Sequence, residues 1–248
     1  MSCLWMGWLL LSGSPVGAQN TVTVVNGPSF RTDQPVSPGS WVSGFGTFPN
    51  VGQTQAAALP LPKTLGGVTI TVAGVEAPIN YVSSTQVNFV IPYGTPVGLH
   101  PVVVTGPGGT ATGTVRVINA APGLFKLDTA NPPRGAILNQ DSSVNAQDRP
   151  AIRGQAIQIF ATGHSALRQP LADGAAGPVP AIETQARPQV FVGGVECQVE
   201  FSGLAPGFAA LWQINARIPA LSFLAGKLPV QVFLNGVDSN EVTIYVAP

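Results

Sequence analysis

Charge is scarce in this chain. Asp, Glu, Lys and Arg make up 9% of its 248 residues, and 11 basic side chains face 11 acidic ones. With no net charge and no basic cluster, it has no electrostatic footprint for nucleic acid. Histidine and cysteine occur twice each, which excludes a local zinc set. No long 3.6-residue apolar pattern is present, so no long helix is expected. Beyond the amino terminus no apolar run is long enough to span a bilayer as a helix, so the mature chain is expected to be soluble with no transmembrane segment.

What is abundant is glycine (29) and proline (24), spread without period through a chain that is 45% hydrophobic. That composition excludes collagen and disorder, and fits many short strands joined by turns. The amino terminus carries an apolar run, Cys3 to Leu11, followed by Val16-Gly-Ala18. The pattern reads as a secretory signal peptide with Gln19 as the mature start. No Lys or Arg precedes the run, which points to a misassigned start codon or a longer peptide. Cys3 would leave with that peptide. Cys197 alone would remain, so no internal disulfide is expected.

One stretch occurs twice. Val68 to Tyr81 is followed by Gln86-Val-Asn-Phe-Val-Ile-Pro92, and Pro188 to Phe201 by Gln213-Ile-Asn-Ala-Arg-Ile-Pro219. In the first copy Val68, Ile70 and Val72 alternate with threonines, and Val75, Ala77, Ile79 and Tyr81 alternate again. A two-residue turn at Ala73-Gly74 pairs Val72 with Val75, Ile70 with Ala77 and Val68 with Ile79, on one buried face. In the second copy a turn at Gly193-Gly194 pairs Val192 with Val195 and Val190 with Cys197; Val199 and Phe201 continue the row. The following strands place Val87, Phe89 and Ile91, and Ile214, Ala216 and Ile218, inward. Gln86 with Asn88, and Gln213 with Asn215, face the other way.

The remaining strands are expected at Thr21–Val25, around Trp41, at Gly98–Thr105, Ala111–Ile118 and Arg153–Gly163, and in a final hairpin closed by Asn235-Gly236. Asn50–Thr64 and His164–Ala186 read as loops, and Gly135–Asn145 as an extra hairpin turning near Asp141-Ser142. The fold class is all-β: two tandem immunoglobulin-like antiparallel β-sandwich domains. Residues 1–18 are expected as the signal peptide, 19–121 as the first domain and 122–248 as the second.

Four groups of residues invite a functional reading. Gly163-His-Ser-Ala-Leu167 imitates a nucleophile elbow, but Leu167 stands where glycine is required and no histidine follows Ser165. Cys197 aligns with Ala77, so it is expected as a small, inert core residue. Asn139, Asp141, Ser143, Asn145 and Asp148 place oxygens at calcium-like spacing, without the central glycine or closing glutamate of a calcium loop. Turn chemistry explains them equally. Gln86, Asn88, Gln213 and Asn215, helped by Trp212 or Tyr81, have the chemistry to hydrogen-bond sugar hydroxyls; their recurrence in both copies fits a structural role.

Several phrases are specific: Ala121-Pro-Gly-Leu-Phe125, Gly135-Ala-Ile-Leu-Asn-Gln-Asp141, Arg153 to Gly163, Val192-Gly-Gly-Val195, Gly203-Leu-Ala-Pro-Gly-Phe208 and Gln213 to Pro219. Together they resemble the Solibacter-type carboxy-terminal domain family of secreted acidobacterial proteins. The first half resembles an IPT/TIG-like domain. His164 departs from the family, where a Leu-Gly-type pair is expected. The resemblance implies an extracellular or cell-surface protein and brings no catalytic residues. No enzyme, cofactor or metal is expected. The expected role is a non-catalytic module for adhesion, spacing or surface interaction, with polysaccharide binding as the alternative; the partner is an extracellular polysaccharide or another surface protein.

Overall fold

The structure, a computed structural model, describes residues 20–248. The expected signal peptide and Cys3 lie outside the described residues. Among the described residues there are strands and no helix.

The first ten strands are β1 (Asn20–Asn26), β2 (Trp41–Gly46), β3 (Thr54–Gln55), β4 (Thr64–Leu65), β5 (Val68–Val72), β6 (Val75–Glu76), β7 (Ile79–Val82), β8 (Gln86–Val90), β9 (Gly98–Gly106) and β10 (Gly109–Val117). They run in the order β3-β7-β8-β2-β1-β10-β9-β5-β4, with β6 on β5. β1 turns this ribbon into two layers. Asn20 and Thr21 lie parallel to β10, while Val22 to Asn26 pair antiparallel with β2. Gly113 permits the approach, because a Cβ there would stand 2.0 Å from the Val22 carbonyl oxygen.

The second set is β11 (Gly123–Leu124), β12 (Ile137–Leu138), β13 (Ala156–Thr162), β14 (Gln189–Val192), β15 (Val195–Leu204), β16 (Trp212–Arg217), β17 (Gly226–Leu234), β18 (Val237–Asp238) and β19 (Val242–Val246). Here β15 joins the layers: its start pairs with β14 and the rest with β16. Each set encloses its own aliphatic core, one around Ile70, Val87 and Phe89 and the other around Val190, Ile214 and Val232. The chain is thus two tandem immunoglobulin-like β-sandwiches.

The two copies of the repeat share more than a hairpin. Ala73-Gly74, Gly193-Gly194 and Asn235-Gly236 all carry positive φ at both turn positions, the geometry of a tight two-residue turn. Val72 pairs with Val75, and the Ala77 N–H donates to the Ile70 carbonyl at 2.8 Å. Val190 pairs with Cys197. Then both copies change layer at the same point. Pro78 has no N–H to continue the ladder, and Ile79 pairs with Phe89 of β8, not with Val68. At the matching place Gln198 leaves β14 for β16.

Both copies next insert one residue, Asn80 between Ile79 and Tyr81 and Glu200 between Val199 and Phe201. An extra residue shifts a period-2 strand by one and reverses its faces. Tyr81 and Phe201 therefore leave the core row expected of them. Val82 and Leu204 are buried instead. Val75 also departs from the expected buried face, being 46% exposed at the sheet edge.

The sandwiches touch directly. The Asn26 amide donates to the Ala121 carbonyl (3.2 Å) and the Gln34 amide to that of Pro122 (2.7 Å). The Trp41 backbone N–H donates to Thr162 Oγ1 (2.8 Å), and the Tyr93 N–H to the Asp173 carboxylate (2.7 Å). Leu61, Val90, Ala209 and Ala210 form a small apolar cluster across the contact. Val90 occupies the repeat position that Arg217 fills in the second copy. An apolar residue on an outer face marks where the neighbour docks.

Candidate functional site

The outer face of the β2-β8-β7 layer is set by the pairing. Phe45 stands beside Gln86, Ser43 beside Asn88, and Asn88 beside Tyr81. Their odd-even partners fill the core, so these side chains point away from it. The segment after β11 runs opposite this face. Between them lies a groove of about 930 Å³, lined by Phe30, Trp41, Asn80, Gln86, Asn88 and Phe125, among others.

Phe30 is 49% exposed and sits at positive φ (58°), a conformation costly for a bulky residue. Its N–H donates to the Asn26 carbonyl at 2.9 Å, which fixes the turn. The ring packs against Phe45 with centroids 6.1 Å apart, and the Lys126 ammonium stands 5.2 Å from its centroid. Strain retained in an exposed aromatic is a pointer to function.

Gln86 donates to Asn88 Oδ1 at 2.8 Å, and Gln213 to Asn215 Oδ1 at 2.9 Å. The repeated amide pair is thus one repeated hydrogen bond. Its settings differ. Gln86 and Asn88 line the groove, whereas Gln213 and Asn215 do not; Gln213 faces Gln158 instead. Trp212 is a correction to the sequence expectation. It is wholly buried, and its indole N–H donates to Ser202 Oγ at 2.9 Å, so it offers no surface to a sugar. Ser202 Oγ also lies 2.6 Å from Thr184 Oγ1, completing a buried polar chain.

The groove contains one carboxylate, Asp128. The Arg134 guanidinium, 2.7 Å away, holds that carboxyl below the usual carboxylate range. Cleavage of a glycosidic bond by the common route needs two carboxyl groups, one kept protonated. Ser165 Oγ has only backbone partners, including the Ala186 N–H at 3.1 Å. The neighbouring His164 turns Nδ1 to the Ser165 carbonyl (2.6 Å), not to the hydroxyl. Burial lowers the His164 pKa and pushes the Cys197 thiol up to about 11.

The oxygens of Asn139, Asp141, Ser143 and Asn145 are used within the protein, while Asp148 stays exposed, 3.8 Å from Arg149. Asn139 Oδ1 accepts from Asn145, and Asp141 Oδ1 accepts from the Ser143 N–H and hydroxyl. Among the described residues, no three His, Cys, Asp or Glu side chains gather where they could hold a metal ion. Nor is any helix there long and apolar enough to cross a membrane.

Phe30, Asn80 and Phe125 were not expected at the site; Phe45 stands beside it, against Phe30. Their sequence signal was weak: Phe30 is a bulky aromatic at a turn, Phe125 lies at the end of a linker, and Asn80 is a bulge residue that only its partner strand reveals.

A family match agrees with the fold of the first sandwich. The IPT/TIG domain family matches residues 61–117. No curated protein matches the chain. Among solved structures, it is similar to SGBP-B of a Bacteroides ovatus mixed-linkage glucan utilization locus, solved in complex with a mixed-linkage heptasaccharide. Identity is 14%, the TM-score is 0.33, and the match covers 86% of this chain and 43% of that one. It is similar to SGBP-B from a Bacteroides uniformis xyloglucan utilization locus at 12% identity and TM-score 0.30, covering 86% and 46%. The full extracellular region of plexin A4 matches at 15% identity and TM-score 0.29, covering all of this chain and 20% of that one. The chain therefore spans less than half the length of each of these structures.

Proposed function

We propose that this chain is a non-catalytic, exported surface module whose interdomain groove binds a neutral polysaccharide. In this reading residues 1–18 are the export signal, the domains divide at 121/122, and the second half belongs to the Solibacter-type family. The paired sandwiches also act as a stiff spacer, since hydrogen bonds hold one against the other.

One observation carries the reading. Phe30, Trp41 and Phe125 share a single groove with the amides of Asn80, Gln86 and Asn88. Sugar rings present an apolar C–H face and a rim of hydroxyls. Aromatic rings stack on the first, and side-chain amides hydrogen-bond the second. An almost uncharged protein suits a neutral ligand.

The test is affinity electrophoresis through gels containing neutral plant and microbial polysaccharides, followed by a glycan array. Retardation by at least one polysaccharide is expected. Asn88→Ala should weaken it about tenfold, the range of one to two lost hydrogen bonds, and Asn215→Ala should leave it unchanged. No retention by any glycan, or equal losses from the two variants, would refute the assignment.

A further inference from the structure

Trp41 and Asn80 line a second hollow as well as the groove. This hollow, of about 210 Å³, lies against Leu59, Leu61, Phe208 and Leu211. Phe208 is 58% exposed and belongs to the Gly203-Leu-Ala-Pro-Gly-Phe208 phrase of the second sandwich.

The backbone around Phe208 is clamped while its ring is left out. Its carbonyl accepts from the Gly177 N–H (2.9 Å), and the Gly207 N–H donates back to Gly177 (2.8 Å). The Ala205 N–H donates to Leu211 at 2.8 Å, closing the turn from the other side. The next residue, Ala209, accepts from the Trp41 indole N–H at 3.0 Å. Phe208 is thereby held at a fixed place relative to Trp41. Ordering a turn this tightly to expose an aromatic opposes ordinary burial, and such exposure marks contact surfaces.

Asn80 is the other shared wall. It is the inserted residue of its bulge, and bulges re-aim side chains beside functional sites. The counterpart, Glu200, instead binds Arg217 at 2.6 Å. No charged residue lines the hollow.

We propose that Phe208 forms a second sugar subsite beyond Trp41 and Asn80, so that the groove binds a linear, neutral glycan chain running from one sandwich onto the other. This rests on the glycan reading of the groove. An unbranched polymer is the ligand chemistry that fits two aromatic-walled hollows sharing Trp41 and Asn80, the second of them without a charged residue.

The experiment is isothermal titration of the exported protein with cello-, xylo- and manno-oligosaccharides, from disaccharide to hexasaccharide. The wild type should bind longer chains at least tenfold tighter than the disaccharide. Phe208→Ala should remove that gain and leave disaccharide affinity unchanged, whereas Phe208→Trp should restore it. Asn88→Ala should weaken every length. A thermal melt checks that Phe208→Ala still folds. Equal weakening of short and long chains by Phe208→Ala, or no effect on either, overturns the subsite while leaving the groove standing. A dimer in sedimentation that Phe208→Ala dissolves would show that a second copy covers the hollow, and also overturns it. Failure of all oligosaccharides and polysaccharides to bind overturns both readings.

Discussion

Asn145 gives the most demanding stability prediction. It is buried, and its side chain makes three hydrogen bonds. Nδ2 donates to Asn139 Oδ1 (2.9 Å) and to the Tyr245 carbonyl (2.8 Å), while Oδ1 accepts from the Tyr245 N–H (2.8 Å). One amide thus fastens the Gly135–Asn145 hairpin to β19, 100 residues away. Asn145→Ala removes all three bonds. The Tyr245 carbonyl keeps its bond from the Ala151 N–H, but the Tyr245 N–H loses its acceptor. At about 1 kcal/mol for each bond, with a surcharge for the stranded donor, the loss is about 3–4 kcal/mol. For a chain of this size that lowers the melting temperature by roughly 6–16 °C. Calorimetry and urea unfolding measure it. With two sandwiches present, the loss should fall on the transition of the second. A loss under about 1 kcal/mol, within what one net hydrogen bond supplies, would refute the reasoning. So would a wild-type midpoint that rises with added calcium, because the loop oxygens would then serve a metal rather than one another.

Two further outcomes follow. Val90→Arg installs the residue of the second copy at a position wholly buried between the sandwiches. An unpaired buried charge costs several kcal/mol, so the domains should separate, with a larger radius of gyration in small-angle scattering; unchanged dimensions would sink the docking account. His164 is buried, and its pKa is lowered from 6.5 by that burial. The unfolded chain therefore takes up a proton that the folded chain resists. Stability should be whole above about pH 6.5 and fall as pH drops below it, by up to about 1.4 kcal/mol per pH unit until the folded-state pKa is reached. His164→Asn should flatten the urea-midpoint profile between pH 6.5 and 5; an unchanged profile would show that another group is responsible.

The strands were readable because side-chain alternation is local. Val68, Ile70 and Val72, and Ile214, Ala216 and Ile218, needed only their own neighbours to declare a buried face, and all six are buried. The glycine turns were readable for the same reason. The bulges at Asn80 and Glu200 were not, since an inserted residue is defined by the partner strand it fails to match. Without them the alternation carried Tyr81 and Phe201 into the core. Trp212 was misread because exposure depends on which layer lies above a strand, and its indole found Ser202 instead of solvent.

The sequence alone determined an all-strand chain of two related halves, its turns, and the aliphatic rows that fill the two cores. These follow from spacing and from the φ that glycine tolerates, both short-range properties. Only the tertiary structure decided that Gln86 and Asn88 border a groove while Gln213 and Asn215 do not. That difference comes from docking the second sandwich on the first through Val90 and Trp41. It brings together Phe30, Asn80, Phe125 and Phe208, which no local pattern relates, because such contacts exist only once distant segments have packed.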